Sequence, residues 1–187
     1  MCNEYRFKQS LDRLTETFGA LRLPLRWAGG APNLEPRDSI RPTDLAPILV
    51  GSAQGCELQQ LRWGFARPQG GPVINFRSDG RRFPTGRCLI PADGFYEFTG
   101  DKAAPKTQKK SKWLFTATDN DLFCIAGLIR DDRFTMLTME PGPDIAPYHN
   151  RQIVILPRAQ WADWLGPSPE AVIPALPAGS LAVTQIR

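Results

Sequence analysis

A single α+β domain spanning residues 1–187, with a mainly antiparallel sheet closed or folded on itself, is the fold class that the sequence predicts. Three observations predict it. A chain of 187 residues suits one domain with a sizeable core. Short runs rich in β-branched and aromatic residues recur along most of it, with turn residues between them. Helical periodicity is confined to two short stretches.

Ser10 is placed to cap the first helix. Leu11, Leu14 and Phe18 share one of its faces, and Gly19 is the expected stop. Residues 23–47, rich in proline and glycine, read as a long irregular stretch. A strand is expected to begin at Ile48, a turn to cover residues 51–55, and a second strand to run over 57–65. Further strands are expected at 88–90, 95–98, 113–116, 122–128, 134–138, 153–156 and 181–186. The second helix follows Pro157, with Trp161, Trp164 and Leu165 on one face and Gly166 stopping it.

Composition excludes several classes. Apolar runs such as 153–156 are far too short to span a bilayer, and no secretory signal is visible. Four scattered cysteines and a single histidine give neither a disulfide framework nor zinc spacing, so no metal and no cofactor are expected. A cytoplasmic protein with free thiols follows. The net charge of +4 is unevenly placed: residues 77–112 hold nine basic and four acidic residues. The arginine-rich part of that segment suits a polyanion, and the lysines from Lys102 to Lys112 read as a solvated loop.

Polar residues break the pattern at a few places. Met1-Cys2 yields an N-terminal cysteine once Met1 is removed, and such a residue carries an amine and a thiol on adjacent carbons, both partly deprotonated near neutral pH. Asn75 ends an apolar run and reads as a turn residue. Glu97 shares a strand face with Phe95; that face is either the solvent side or a pocket that raises a carboxyl pKa. His149 lies in a loop before an apolar strand, either as a structural residue or as a proton-transfer group. Trp63, beside Gly64, is either core or a flat stacking platform.

Cys2, Trp63-Gly64-Phe65, Asn75-Phe76-Arg77, 91–98 (PADGFYEF), His149-Asn150-Arg151 and a last strand at 181–184 resemble, in order and spacing, the SOS-response-associated peptidase (SRAP) family of abasic-site processing proteins. The resemblance implies a compact α+β domain on a β-barrel-like core with a positive DNA groove. It implies a covalent bond to abasic sites in single-stranded DNA. The Cys2 amine would condense with the sugar aldehyde to an imine, and the thiol would close a thiazolidine. Associated lyase activity and self-removal of Met1 are further implications. On the same resemblance Asn75 orients the sugar, Glu97 moves protons at the amine, and His149 protonates the ring oxygen. Arg77 and Arg151 match phosphate-holding arginines, Trp63 matches a base-stacking aromatic, and Pro42-Thr43 matches part of the site wall. Arg81 and Arg82 add to the basic surface. A monomer, nucleoid-associated when bound to DNA, is expected.

The chain departs from the family pattern where Asn3-Glu4 replaces Gly-Arg and Phe98 replaces a tryptophan. Glu4 beside a phosphate would repel it, and Arg41 is the candidate to restore the positive charge. Two alternatives stand beside this reading. One is a thiol peptidase using Cys2 and Glu97. The other is a non-catalytic single-strand-binding module using Arg77, Arg81, Arg82 and Trp63.

Overall fold

The computed structural model describes residues 2–100, 109–119, 121–167, 173 and 175–187. The elements run β1 (Tyr5–Phe7), α1 (Leu11–Ala20), β2 (Leu25–Arg26), β3 (Arg37–Ile40), β4 (Leu45–Ser52), β5 (Gly55–Trp63), β6 (Asn75–Arg77), β7 (Arg87–Ala92), β8 (Gly94–Thr99), β9 (Ser111–Ala117), β10 (Phe123–Arg130), β11 (Arg133–Met139), β12 (Gln152–Ile153), β13 (Ile155–Leu156), a 3-10 turn at Arg158–Gln160, α2 (Trp161–Leu165) and β14 (Leu181–Gln185). The protein is thus mostly β with two short helices. No helix among the described residues is long and apolar enough to cross a membrane.

Strands β5, β4, β7, β10 and β11 pair in that order, and β11 returns to β5, so the sheet closes into a ring. The closing pair is parallel, with Phe134 opposite Trp63. Parallel pairs also join β2 to β5 and β6 to β11, the exceptions to an otherwise antiparallel fold. A second sheet, ordered β14-β9-β8-β1-β3, leaves the ring where β7 turns into β8. Closure removes the exposed edges that an open sheet of this size would carry.

The ring is sealed by aromatic packing. Trp63 is fully buried, meets Tyr5 edge-on at 5.4 Å between ring centroids, and stacks on Phe134 at 6.4 Å. Its indole N–H donates to the Ile74 carbonyl at 2.9 Å. Trp63 is therefore a core residue and not a stacking platform for DNA, because no face of its ring reaches solvent. Gly64 follows with φ +108, and a Cβ there would lie 2.6 Å from the Pro72 side chain. Its N–H donates to the Phe134 carbonyl at 2.7 Å, so the residue that makes the sharp exit also secures the closing strands.

Helix α1 is capped as expected, the Ser10 hydroxyl accepting from the Arg13 N–H. Phe18 buries its ring against Trp161 at 4.9 Å. The helix runs past Gly19 to Ala20 and ends with Arg22 in the left-handed region, φ 58. The Arg22 and Leu23 N–H groups then donate to the carbonyls of Gly19 and Phe18. The hydrogen-bond pattern of the cap, not glycine, stops this helix. The stretch 23–47 is less irregular than its prolines suggest, since β2 and β3 lie within it. The run 153–156 divides around Val154, which lets one segment pair with both β11 and β10.

Trp63→Ala removes a fully buried indole and its hydrogen bond. Unfolding in urea should show a loss of about 3–5 kcal/mol. Trp63→Phe, which keeps most of the volume, should lose distinctly less.

Candidate active site

Cys2 lies three residues before the start of β1, which is sandwiched between β8 and β3. The side chain is buried, and its thiol donates to the Glu4 carbonyl at 3.3 Å. The Asn75 side-chain N–H donates to the Cys2 carbonyl at 2.8 Å. Asn75 is therefore the first residue of a strand and not a turn residue, placed opposite Met136 of β11 by parallel pairing. Strand alternation puts Arg77 on the same side as Asn75. The Asn75 amide oxygen is shielded from solvent and has no hydrogen-bond partner in the structure.

Glu97 sits on the inward face of β8. It is 1 % exposed, so the solvent-side alternative fails. Burial pushes its carboxyl up to about 7. The same burial, with the Glu97 charge adding to it, pushes the Cys2 thiol well above its ordinary value. The thiol is consequently protonated at neutral pH, and the influence of Glu97 on it reflects their proximity.

His149 is carried by a turn in which its backbone N–H donates to the Ile145 carbonyl at 2.9 Å. Next to it, Tyr148 packs edge-on against Trp113 and Phe115, tying this turn to β9. The Arg151 N–H donates to the His149 Nδ1 at 3.0 Å. The same Nδ1 stands 3.1 Å from the Arg151 carbonyl, so either neutral tautomer of the ring finds a backbone partner there. Burial lowers the pKa of this histidine, which favours the neutral form. Glu97 and His149 line one cleft of about 300 Å³ together with Asn3, Phe98 and Lys110. Cys2, Asn75, Glu97 and His149, drawn from four distant segments, are thus gathered at one place. No group of three or more metal-ligating side chains occurs among the described residues.

The basic residues divide. Arg77, Arg81 and Arg82 are exposed, and Arg81 lies over the Phe76 ring at 4.8 Å. Arg41 is exposed beside half-buried Pro42. Arg151 does not fit the phosphate-holding part expected of it. It is 5 % exposed, its guanidinium pairs with Asp79 at 2.7 Å and Glu140 at 2.9 Å, and it donates to the Thr138 hydroxyl. Those carboxylates already occupy the charge that a phosphate would meet.

Glu4 also differs from expectation. It faces inward, 4 % exposed, and accepts from the Ser39 hydroxyl and the Lys112 ammonium, each at 2.7 Å. Arg41 stands 3.6 Å away. Lys112 in turn is part of β9, over the Tyr96 ring at 3.8 Å, and not part of a solvated loop. Lys102 and Lys106 fall outside the described residues. Asp93 was missed by sequence reasoning. It accepts from Arg6 Nε at 2.6 Å and from the Lys8 N–H at 2.5 Å, clamping β1 to the β7–β8 corner. An aspartate preceding a glycine between two apolar strands was the available signal.

A model of the family described as SOS response associated peptidase (SRAP) matches residues 1–182. The chain is 27% identical over 191 residues to abasic site processing protein YobE of Bacillus subtilis, covering 89% of this chain and 83% of that protein. It is 27% identical over 156 residues to abasic site processing protein YoaM of the same organism, covering 71% and 67%. Among solved structures, a phage-related protein of Bordetella bronchiseptica superposes with a TM-score of 0.75 at 21% identity, covering 100% of this chain and 94% of that one. A protein from Bacteroides thetaiotaomicron does so with a TM-score of 0.76 at 16% identity, covering 100% and 92%. These structural likenesses speak for the fold, and the family match over nearly the whole length speaks for descent: the chain belongs to the SOS response associated peptidase family.

Proposed function

We propose that this protein processes abasic sites in single-stranded DNA by forming a covalent thiazolidine through Cys2. The observation that carries the reading is the gathering of Cys2 and Asn75, joined by a hydrogen bond, beside Glu97 and His149, which line one cleft. The relatives' names, abasic site processing proteins, supply the substrate class.

The chemistry requires removal of Met1, since an amide nitrogen does not condense with aldehydes. The Cys2 amine then attacks the aldehyde carbon of the ring-opened sugar, and loss of water gives an imine. The thiol adds across the C=N bond: a C–S bond forms, the nitrogen takes the proton, and the five-membered ring closes. His149 donates a proton to the sugar ring oxygen during opening. Glu97, with its pKa near 7, alternately accepts and returns protons at the amine. The buried Asn75 oxygen accepts a hydrogen bond from a sugar hydroxyl. Arg41, Arg77, Arg81 and Arg82 offer exposed positive charge to the phosphates flanking the lesion. β-Elimination from the imine is the associated lyase route. The protein acts as a monomer in the cytoplasm and joins the nucleoid on DNA. A protonated, buried thiol is a poor peptidase nucleophile but an adequate second partner for an imine.

Cys2→Ala should give no denaturation-resistant adduct with single-stranded DNA carrying an abasic site, whereas the unmodified chain, lacking Met1, should gain the mass of the oligonucleotide less one water. Intact-mass spectrometry reads both Met1 loss and the adduct, and an adduct persisting in the variant would sink the mechanism. Glu97→Gln should slow adduct formation by about 10²-fold or more, measured by denaturing electrophoresis over time.

The raised pKa of Glu97 also has a stability consequence. A carboxyl whose folded value lies above its unfolded one binds its proton more tightly in the folded state. Its contribution is full below about pH 4.5 and is lost as pH rises to about 7, up to roughly 3 kcal/mol in all. Glu97→Gln lacks this loss. Urea unfolding from pH 5 to 8 should show the variant gaining on the wild type by that order, and parallel stability curves would contradict the burial argument.

A further inference from the structure

We propose that Glu4, held by Lys112 and Ser39, is a positioning residue that sets the Cys2 thiol for ring closure. This rests on the thiazolidine chemistry at Cys2.

Residue 4 is fixed from four directions. Its carbonyl accepts the Tyr96 N–H of β8 at 3.0 Å. Its carboxylate accepts from Lys112 of β9 and from Ser39 of β3, each at 2.7 Å, and Arg41 stands 3.6 Å away. Burial by itself would raise the Glu4 carboxyl; the Lys112 and Ser39 hydrogen bonds outweigh it and hold the group below its ordinary value, charged at neutral pH. The ammonium that pairs with it is only 17 % exposed and is backed by the Tyr96 ring at 3.8 Å. A pair so enclosed has one geometry, unlike a surface pair that samples many.

The same Glu4 carbonyl accepts the Cys2 thiol at 3.3 Å. The chain of contacts therefore runs from β9 and β3, through the carboxylate, to the peptide that aims the sulfur. The amine reacts first and needs only to reach the aldehyde. The thiol reacts second, on an imine carbon fixed by the bond just formed, so its orientation decides how fast the ring closes. Loosening Glu4 affects the second step and leaves the first intact. Lys112 on this reading serves an internal ion pair and contributes no phosphate contact, although it lies in the most basic segment of the chain.

The test compares wild type, Glu4→Gln, Lys112→Met and Lys112→Arg on single-stranded DNA with an abasic site, with and without borohydride. Borohydride traps the imine, and the adduct that survives denaturation without it is the thiazolidine. In Glu4→Gln and Lys112→Met the ratio of untreated to trapped adduct should fall about tenfold. The trapped total, the affinity for DNA and its salt dependence should stay at wild-type levels, and Lys112→Arg should keep the wild-type ratio. An unchanged ratio in Glu4→Gln overturns the inference. So does a parallel fall of both adducts with thermal stability, which marks a merely structural role. A wild type that forms neither adduct overturns the proposed function itself.

Discussion

Asp93 holds the amino-terminal strand in place, and the site exists only because that strand is held. β1 has three residues, too few to keep its position by strand pairing alone. Asp93 adds two charge-assisted hydrogen bonds, one to a side chain and one to a backbone N–H of the segment that follows β1. Gly94 lets the two elements approach, since a Cβ there would stand 2.9 Å from Leu114 and 3.3 Å from Arg6. From this anchor the chain extends back to Glu4 and Cys2. Of the two carboxylates in the motif at 91–98, Asp93 is thus structural, and Glu97, embedded among aromatics, is the buried acid of the cleft.

Some of the charge in this protein is directed inward. Arg151, Lys112 and Arg6 each face carboxylates, and each is mostly enclosed. Arg41, Arg77, Arg81 and Arg82, on the β3–β4 connection and around β6, are among the basic residues that face solvent. A basic segment counted along the sequence therefore overstates the surface available to a polyanion. It also explains how an acidic residue at position 4 is accommodated, because Lys112 and Arg41 answer its charge before any phosphate approaches.

Much of the fold was legible in the sequence because strand signals are local. Alternation and turn residues located β5, β7–β11 and β14 to within a few positions, and Ser10 marked the start of α1. What was not legible is non-local. The pairing of β11 with β5 that closes the ring, and the parallel register that draws Asn75 out of a turn and into β6, depend on contacts 71 and 61 residues apart. The same holds for the site. Residue type and order pointed to Cys2, Asn75, Glu97 and His149. Whether a side chain faces DNA or the core depends on what packs over it. Trp63 and Arg151 were therefore misread, and the partner of Glu4 was out of reach of any local pattern.

The enclosure of Cys2 bears on how long the protein keeps its reagent. Oxidants and alkylating agents attack thiolates that solvent can reach, and the rate of loss follows both exposure and ionisation. A sulfur that is 1 % exposed and held protonated by burial and a neighbouring carboxylate presents neither. On the chemistry proposed above, Cys2 forms one lasting bond and must survive unspoiled until then. The packing therefore shields the thiol from both oxidation and alkylation.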